Sequence, residues 1–395
     1  MKILWIKTDF LHPTTRGGQI RTLEMLKRLH QKHEVHYVGL DSGETQEGPA
    51  RAGEYSAAHY AIPHKAPNRG SVAFASQVAQ GLFSTMPVSV FRYRSPQMRD
   101  EIERLTRKID FDSVVCDFLF PAPNVPDLGR CVLFQHNVEA MIWRRHAEHG
   151  RTPLHRWYFE RQYQRMHAYE KRVCQTVRHV VAVSPMDAAY FESEYGLSNV
   201  SSVATGVDLE YFTPPPVPPA ACADLVFVGS MDWLPNIDGV QWFMAEVLPL
   251  IWASRPETTV AVVGRKPSSK MLALAEGERR IQVTGTVPDV RPWLHGSTVS
   301  IVPLRIGGGT RIKIYEAMAA RVPVVSTTIG AEGLDCANGV NIRLADSPAD
   351  FAAACVALLQ DAGARRAMVQ AAWQMVADRY SWDAVTNVFA GMIAP

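Results

Sequence analysis

The chain has 395 residues, of which 47% are apolar, and its 41 Lys and Arg side chains nearly balance 39 Asp and Glu side chains. This length exceeds what one compact core usually holds, and the apolar content is enough to fill two domains. The formal net charge of +2 excludes a whole-molecule field that would hold the protein on nucleic acid or on an anionic membrane. Any site for an anionic ligand must therefore be local.

The cysteines and the N-terminal segment indicate a reducing compartment. No C-x-x-C spacing occurs, which argues against a disulfide framework and against a zinc site. The first apolar run is too short for a signal peptide, because Lys7 and Asp9 follow it directly, and it predicts a buried strand instead. No run of about 18 apolar residues occurs that would span a membrane. We therefore expect a cytoplasmic protein.

The first half of the chain alternates short apolar runs with longer amphipathic segments. The apolar runs that predict buried parallel strands are KILWI, HEVHYVGL, DSVVCDF, CVLFQH and HVVAVS. Helical spacing of apolar positions is found in GQIRTLEMLKRLHQ and in PLHRWYFERQYQRMHAYEKRV. This order predicts a doubly wound α/β domain over residues 1–211.

A proline-rich segment at residues 212–221 then predicts a stiff interdomain linker, since five prolines exclude regular helix and central strand. Beyond it the same rhythm predicts a second α/β domain over residues 222–379. Its predicted strands are DLVFVGS, TVAVVG, IQVTG, VSIVPL and VPVVST. Its predicted helices are NIDGVQWFMAEVLPLIWA, YEAMAA and SPADFAAACVALLQD, and SWDAVTNVFAGMI forms a last helix within residues 380–395.

The segment GGGTRIKIYE follows a predicted strand of the second domain and suits a diphosphate. The loop of Gly307, Gly308 and Gly309 can bring backbone N–H groups close to a ligand, with Thr310 next to it in the expected site, and the start of the next helix attracts anions. Arg311 and Lys313 add full charges there. The carboxylate of Glu316, further along the helix, suits the two hydroxyls of a ribose. The alternative is a solvated loop, and neither a Walker loop nor a dinucleotide fingerprint is present.

Taken in order, several segments resemble the family 4 glycosyltransferases, which are retaining enzymes of the GT-B fold. They are TRGGQIRTLEMLKRL, HNVE, VAVS, TGVDLEYFTP, FVGSMDWLPNIDGVQWF, VVGRKP, GGGTRIKIYEAMAARVPVVST and YSWDAVTNVF. The sequence from FVGSMDWLPN to GGGTR is most similar to a subgroup of bacterial sugar transferases for exopolysaccharide or glycolipid assembly. The resemblance implies two Rossmann-like domains facing across a cleft, with the last helix returning to the N-terminal domain. It also implies sugar transfer from a nucleotide-diphosphate donor to a carbohydrate or lipid-linked acceptor, with no cofactor and no metal.

The resemblance further implies roles in the N-terminal domain. Gly17 and Gly18 let a loop approach the donor diphosphate, and the alternative is an ordinary strand-to-helix turn. His136 lies near the reacting centre of the sugar, and Glu139 helps to place the acceptor; the alternative is a structural histidine. We do not assign His136 as a general base, because the departing phosphate of such enzymes itself takes the acceptor proton.

In the C-terminal domain the resemblance implies donor contacts in the loop after the first strand. Arg265 follows another predicted strand, where it is expected to contact the base or a phosphate of the donor, and the alternative is a solvated arginine. The loop after the first strand holds Gly229, Ser230 and Asn236, whereas the family commonly carries an Arg and a Lys there. A second departure is Gly308, which stands where the family usually has the first of two glutamates. Arg311 and Lys313 are therefore expected to share the neutralisation of the diphosphate.

Several alternatives remain open. The DFD sequence at residues 110–112 matches a metal motif of another glycosyltransferase fold, but it precedes a strand, away from the ligand-binding edge. The run Trp143–Arg172 is interpreted as an amphipathic helix starting at Thr152-Pro153, with Leu154, Trp157 and Tyr158 on its packed face; peripheral contact with a membrane is the alternative. Rival functions are a nucleotide-sugar epimerase or phosphorylase of the same fold, and a hinge-type ligand-binding protein. The sequence names neither the donor nor the acceptor.

Overall fold

The computed structural model describes residues 1–14, 17–64, 86–148, 152–217, 219–306 and 312–395. The chain divides into two compact units, of which the first comprises Met1–Ala204 and Val385–Pro395 and the second comprises Thr205–Ala384. Phe212, at the start of the proline-rich segment, is buried in the hydrophobic core of the second unit.

The first unit is built on a parallel sheet of seven strands in the order β3-β2-β1-β4-β5-β6-β7. The strands are β1 (Lys2–Lys7), β2 (Glu34–Asp41), β3 (Ala58–Pro63), β4 (Ser113–Asp117), β5 (Cys131–Gln135), β6 (His179–Ala182) and β7 (Val200–Ser202). The longer helices are α1 (Gly17–Lys32), α2 (Pro96–Lys108), α3 (Glu139–Glu148), α4 (Pro153–Thr176) and α5 (Pro185–Tyr195); single turns lie at Glu47–Ala50 and Val88–Phe91. The strand order reverses between β1 and β4, and such a switch point opens a crevice at the carboxyl ends of the strands.

The second unit is built on a parallel sheet of six strands in the order β10-β9-β8-β11-β12-β13. The strands are β8 (Ala223–Val228), β9 (Val260–Val263), β10 (Ile281–Gly285), β11 (Ser297–Val302), β12 (Val324–Ser326) and β13 (Arg343–Leu344). The longer helices are α6 (Leu234–Trp242), α7 (Leu248–Ser254), α8 (Ile312–Ala319), α9 (Pro348–Gln360) and α10 (Ala362–Arg379); single turns lie at Ser269–Ala273 and Arg291–His295. The last helix, α11 (Trp382–Ile393), begins in this unit, and its residues from Val385 onward belong to the first unit. The switch point of the second unit lies between β8 and β11.

Two predicted helices differ in detail from the structure. The helix predicted at residues 236–253 is interrupted by a π-helical turn at Phe243–Val247, after which Pro249 lies in the first turn of α7. The run Trp143–Arg172 forms two helices, and α4 begins at the predicted Thr152-Pro153, where the Thr152 side chain accepts from the His155 N–H. The prediction that Leu154 and Trp157 pack against the sheet is wrong, because they are 70% and 57% exposed. The C-terminal half of α4 supplies the packed face.

The last helix, α11, runs from the second unit into the core of the first. Phe389 is fully buried there, with its ring centroid 5.7 Å from that of Trp5 and 4.8 Å from that of Phe134. The Arg178 guanidinium donates to the carbonyl of Ile393 at 3.1 Å, which ties the end of this helix to the segment before β6. Among the described helices, none is long and apolar enough to cross a membrane.

Candidate functional site

In the first unit, a buried carboxylate organises the carboxyl ends of β1, β4 and β5. Asp117, the last residue of β4, accepts hydrogen bonds from Trp5 Nε1 at 3.0 Å, Thr22 Oγ1 at 2.7 Å and His136 Nε2 at 2.8 Å. The Lys7 ammonium lies 2.9 Å away. Burial opposes ionisation, but Lys7 and these hydrogen bonds hold the pKa of Asp117 well below its usual range. Asp117 is therefore a charged acceptor.

His136 follows β5 and is held as a neutral imidazole. Burial lowers the pKa of His136 to about 4, although Asp117 acts in the opposite direction. Since Asp117 is ionised, Nε2 carries the proton of the 2.8 Å hydrogen bond, and Nδ1 is left with a lone pair. The ring stacks on Phe118 at 4.4 Å, and Phe118 has a φ of 76°, which is costly for a non-glycine residue. Such strain is concentrated at functional sites.

Gly18, in the first turn of α1, lies beside the unprotonated Nδ1 of His136. A methyl group at Gly18 would come within 3.4 Å of His136 Nδ1 and within 3.4 Å of the Phe118 ring, whereas one at Gly17 would meet nothing within 4 Å. Nδ1 is buried and has no hydrogen-bond partner in the described part of the chain. The structure thus brings Gly18 and His136 together, as the sequence predicts for one site. Gly17, the first residue of α1, is exposed.

Glu139 is the first residue of α3 and is also buried. Burial raises the pKa of Glu139 to about 7, and a hydrogen bond from the Asn137 side chain opposes that rise. Near neutral pH this carboxyl is therefore partly protonated. His136 and Glu139 lie on the same short segment between β5 and α3.

In the second unit, a lysine and an asparagine meet beyond the carboxyl end of β8. Lys313, in the first turn of α8, donates from Nζ to Asn236 Oδ1 at 2.7 Å, and Asn236 Nδ2 donates to the carbonyl of Ser230 at 2.8 Å. A methyl group at Gly229 would lie 2.8 Å from Lys313 Nζ and 2.9 Å from Asn236 Nδ2. Glycine at this position is therefore what lets the ammonium approach the strand end.

Arg265, after β9, lies at the exposed rim of the same loop. Its Nε donates to Ser230 Oγ at 2.8 Å, and Ser230 Oγ donates to Asp232 at 2.6 Å. Asp232 also pairs with Lys266 at 3.2 Å. The structure therefore joins Arg265 to Ser230, but the Asp232 carboxylate partly neutralises the positive charge of Arg265 and Lys266.

Glu316 lies about one turn after Lys313 on α8 and is half-buried. Burial raises the pKa of Glu316, and the neighbouring Lys313 charge lowers it. The predicted diphosphate residues Gly308, Gly309, Thr310 and Arg311 lie outside the described residues, between β11 and α8.

The described residues contain no group of three His, Cys, Asp or Glu side chains arranged to hold a metal ion. Asp112, within the DFD sequence, instead accepts a hydrogen bond from the Lys2 N–H at 2.6 Å. This contact is at the amino end of β1, opposite the edge where ligands bind such sheets.

Sequence reasoning missed Lys7 and Asp117 as parts of the site. Each is the charged last residue of an otherwise apolar buried strand, KILWIK and SVVCD. Because β1 and β4 are parallel neighbours, with Ile6 opposite Cys116, their last residues meet at the switch point. Opposite charges at the ends of two buried strands are a signal that was present in the sequence.

Two family profiles match the chain, and both describe glycosyltransferases. Residues 15–211 match Glycosyltransferase Family 4, and residues 222–361 match Glycosyl transferases group 1. A curated relative, an uncharacterized 44.6 kDa protein in the cps region of Klebsiella pneumoniae, is 24% identical over 136 residues, or 33% of this chain. The match spans only 35% of that relative's length.

Solved structures of similar fold cover the whole chain. The Anabaena Alr3699/HepE protein in complex with UDP-glucose has a TM-score of 0.61 and 13% identity, over 99% of this chain and 98% of that one. WaaG, a glycosyltransferase involved in lipopolysaccharide biosynthesis, has a TM-score of 0.61 and 15% identity, over 99% of both chains. At these identities the likeness establishes the fold, and it confirms the prediction of two Rossmann-like domains of the GT-B type. The chain therefore belongs to the family 4 glycosyltransferases of the GT-B fold.

Proposed function

We propose that the protein transfers a sugar, with retention of configuration, from a nucleotide-diphosphate donor to a carbohydrate or lipid-linked acceptor. The observation that carries this proposal is the position of the Lys313 ammonium, whose Nζ lies 2.7 Å from Asn236 Oδ1. It lies next to Gly229, where any side chain would displace the ammonium. A diphosphate loses its hydration when it binds, so a cation or several N–H groups must face it. The family membership supports a sugar nucleotide as the ligand.

The second unit holds the donor in this proposal. Lys313 neutralises the diphosphate together with Arg311 and with N–H groups near Gly308 and Gly309, and no metal is required. Glu316 accepts hydrogen bonds from the ribose hydroxyls, because it lies one turn further along α8 from the charge. Ser230 and Arg265 contact the donor at the rim of the loop.

The first unit supplies the transfer chemistry. The bond between the sugar C1 and the phosphate oxygen breaks, and a bond from C1 to the acceptor oxygen forms on the same face. The departing phosphate oxygen takes the acceptor proton, so no protein base is needed. Neutral His136, with Nε2–H fixed on Asp117, orients the sugar without adding a positive charge, and Glu139 orients the acceptor. Gly17 and Gly18 keep the start of α1 open to the diphosphate.

A lipid-linked acceptor agrees with the surface of α4. Leu154 and Trp157 are exposed at its N-terminal end, and Arg161 is exposed one turn beyond Trp157. Apolar side chains next to a basic one suit the interface of an anionic membrane. We therefore place the protein in polysaccharide or glycolipid biosynthesis, with peripheral contact to the membrane that carries the acceptor. The role of WaaG in lipopolysaccharide biosynthesis supports this assignment.

The test is a thermal-shift screen of the full chain against UDP, GDP, TDP and ADP, followed by calorimetry and by the sugars of the nucleotide that binds. A ligand of the folded state raises the unfolding temperature with its concentration over its dissociation constant. Transfer is then followed by NMR of the anomeric proton of the product, with and without a chelator. An epimer or a sugar phosphate formed without acceptor would identify one of the rival enzymes instead, and inversion at C1 would contradict retention.

A further inference from the structure

Glu170, in the C-terminal half of α4, is a fully buried carboxylate that no proposed step uses. Its Oε1 accepts from Gln135 Nε2 at 2.8 Å and from the Glu139 N–H at 2.9 Å. Its Oε2 accepts from the Ala140 N–H at 3.0 Å and from the Tyr195 hydroxyl at 2.8 Å. One side chain therefore joins the end of β5, the first two residues of α3 and the end of α5.

These contacts favour an ionised carboxylate, because each oxygen of Glu170 accepts from a backbone N–H, which can only donate. All four partners are donors, and an ionised carboxyl group is an acceptor at both oxygens. The amides of Glu139 and Ala140 belong to the first turn of α3, where no intrahelical acceptor exists and where the helix dipole favours negative charge. Burial raises the pKa of Glu170 to about 7, and the two backbone hydrogen bonds and the Tyr195 hydroxyl act against that rise.

The contacts of Glu170 hold the segment of the chain that carries both residues assigned to sugar transfer in the first unit. Gln135 and Glu139 flank His136, so the residue assigned to the sugar and the residue assigned to the acceptor lie within the segment that Glu170 holds. Asp117 fixes the side chain of His136 from the neighbouring strand. Glu170, on α4, fixes the backbone of the same segment at Glu139 and Ala140.

We propose that Glu170 is a positioning residue for sugar transfer, which holds residues 135–140 so that His136 and Glu139 keep the orientation the reaction needs. This inference rests on the transferase function proposed above. Glu170 does not itself touch the substrates. Its removal is therefore expected to slow transfer, and to leave the donor-binding residues of the second unit as they are.

The test is Glu170→Gln, which preserves shape but turns one acceptor into a donor that faces other donors. We expect kcat to fall about tenfold or more while the donor KM and the Kd of the nucleotide change less than about twofold. Hydrogen exchange should also speed up at the Glu139 and Ala140 amides. The matched control is Glu160→Gln on the same helix, where an exposed carboxylate accepts from Gln164; both readouts should stay at the wild-type value.

Tyr195→Phe provides a second variant in case Glu170→Gln does not fold. It removes one hydrogen bond to Oε2 and leaves the carboxylate in place, so a smaller fall in kcat with an unchanged donor KM is expected. Wild-type kcat in a folded Glu170→Gln protein, or an equal loss of kcat and nucleotide affinity, would overturn the proposal. Failure of the wild-type protein to transfer any sugar would refute the proposed function, whereas unchanged amide exchange in Glu170→Gln would refute the positioning role separately.

Discussion

Replacing Lys313 with methionine should remove most of the preference of the protein for a nucleoside diphosphate over the monophosphate. Methionine keeps the apolar stem of the side chain but loses the ammonium, which lies 4.6 Å from the centre of the Phe227 ring and 2.7 Å from Asn236 Oδ1. The fold should tolerate the change, because Lys313 is half-buried and methionine retains the apolar part of its packing. The expected loss is in ligand binding.

The magnitude follows from the position of the charge. An ammonium about 4 Å from a phosphate at an effective dielectric constant of about 20 interacts by about 4 kcal/mol. Desolvation cancels part of this, and net values for a charged hydrogen bond are about 1.5–3 kcal/mol. The Kd of the diphosphate should therefore rise about 10- to 150-fold. The Kd of the monophosphate should rise much less.

Calorimetry with both nucleotides measures this ratio directly. The control is Lys266→Met, since the Lys266 side chain is 69% exposed and pairs with Asp232, so its charge is screened by solvent. We expect that control to change either Kd by less than about twofold. Arg311→Met, alone and with Lys313→Met, tests the shared neutralisation. If the diphosphate keeps its full advantage in the double variant, these cations do not form the phosphate site.

Three further results are expected. Glu316→Gln should weaken nucleotide binding by about 1–3 kcal/mol, with no such effect on a 2′,3′-dideoxynucleotide, and equal losses for both would exclude a ribose contact. The pKa of His136 is about 4 in the folded protein and 6.5 in the unfolded chain, so the unfolded chain binds the proton first as the pH falls. The free energy of unfolding should therefore decrease by about 3 kcal/mol between pH 6.5 and pH 4. Urea unfolding of His136→Gln should lack that loss, and an identical pH dependence would contradict a buried neutral imidazole. Leu154→Ser with Trp157→Ser should reduce flotation with anionic vesicles while Leu250→Ser does not, and equal flotation of all variants would remove the proposed membrane contact.

In the first unit the central strands were predictable from sequence, and the edge strands were not. β1, β4 and β5 are buried along most of their length, so they read as unbroken apolar runs. β3 at one edge has only one buried residue, Ile62, and β7 at the other edge has three half-buried residues. A short strand paired on one side carries no apolar run, and only its neighbour in space reveals it.

The same limit applies to the site. Gly229, Asn236 and Lys313 were expected together because strand-end loops and helix starts of one sheet edge meet. Asp117 and Glu170 were not expected, because their hydrogen bonds join residues distant in sequence, as between Trp5 and Asp117. The pairing of strands and the packing of α3 against α4 create those contacts. Local sequence patterns identify the ligand-facing residues, and tertiary structure selects the residues that hold them.

The course of α11 sets an order for the assembly of this protein on the ribosome. Trp5 precedes the whole of Thr205–Ala384 in the chain, yet one of its aromatic neighbours, Phe389, is synthesised only after that unit. The core of the N-terminal unit therefore remains incomplete until the whole second unit has been synthesised. Such delayed closure by distant residues exposes apolar surface during synthesis. Collapse of the N-terminal unit before that point leaves Trp5 and Phe134 without the Phe389 ring, and the packing of α11 then completes this part of the core.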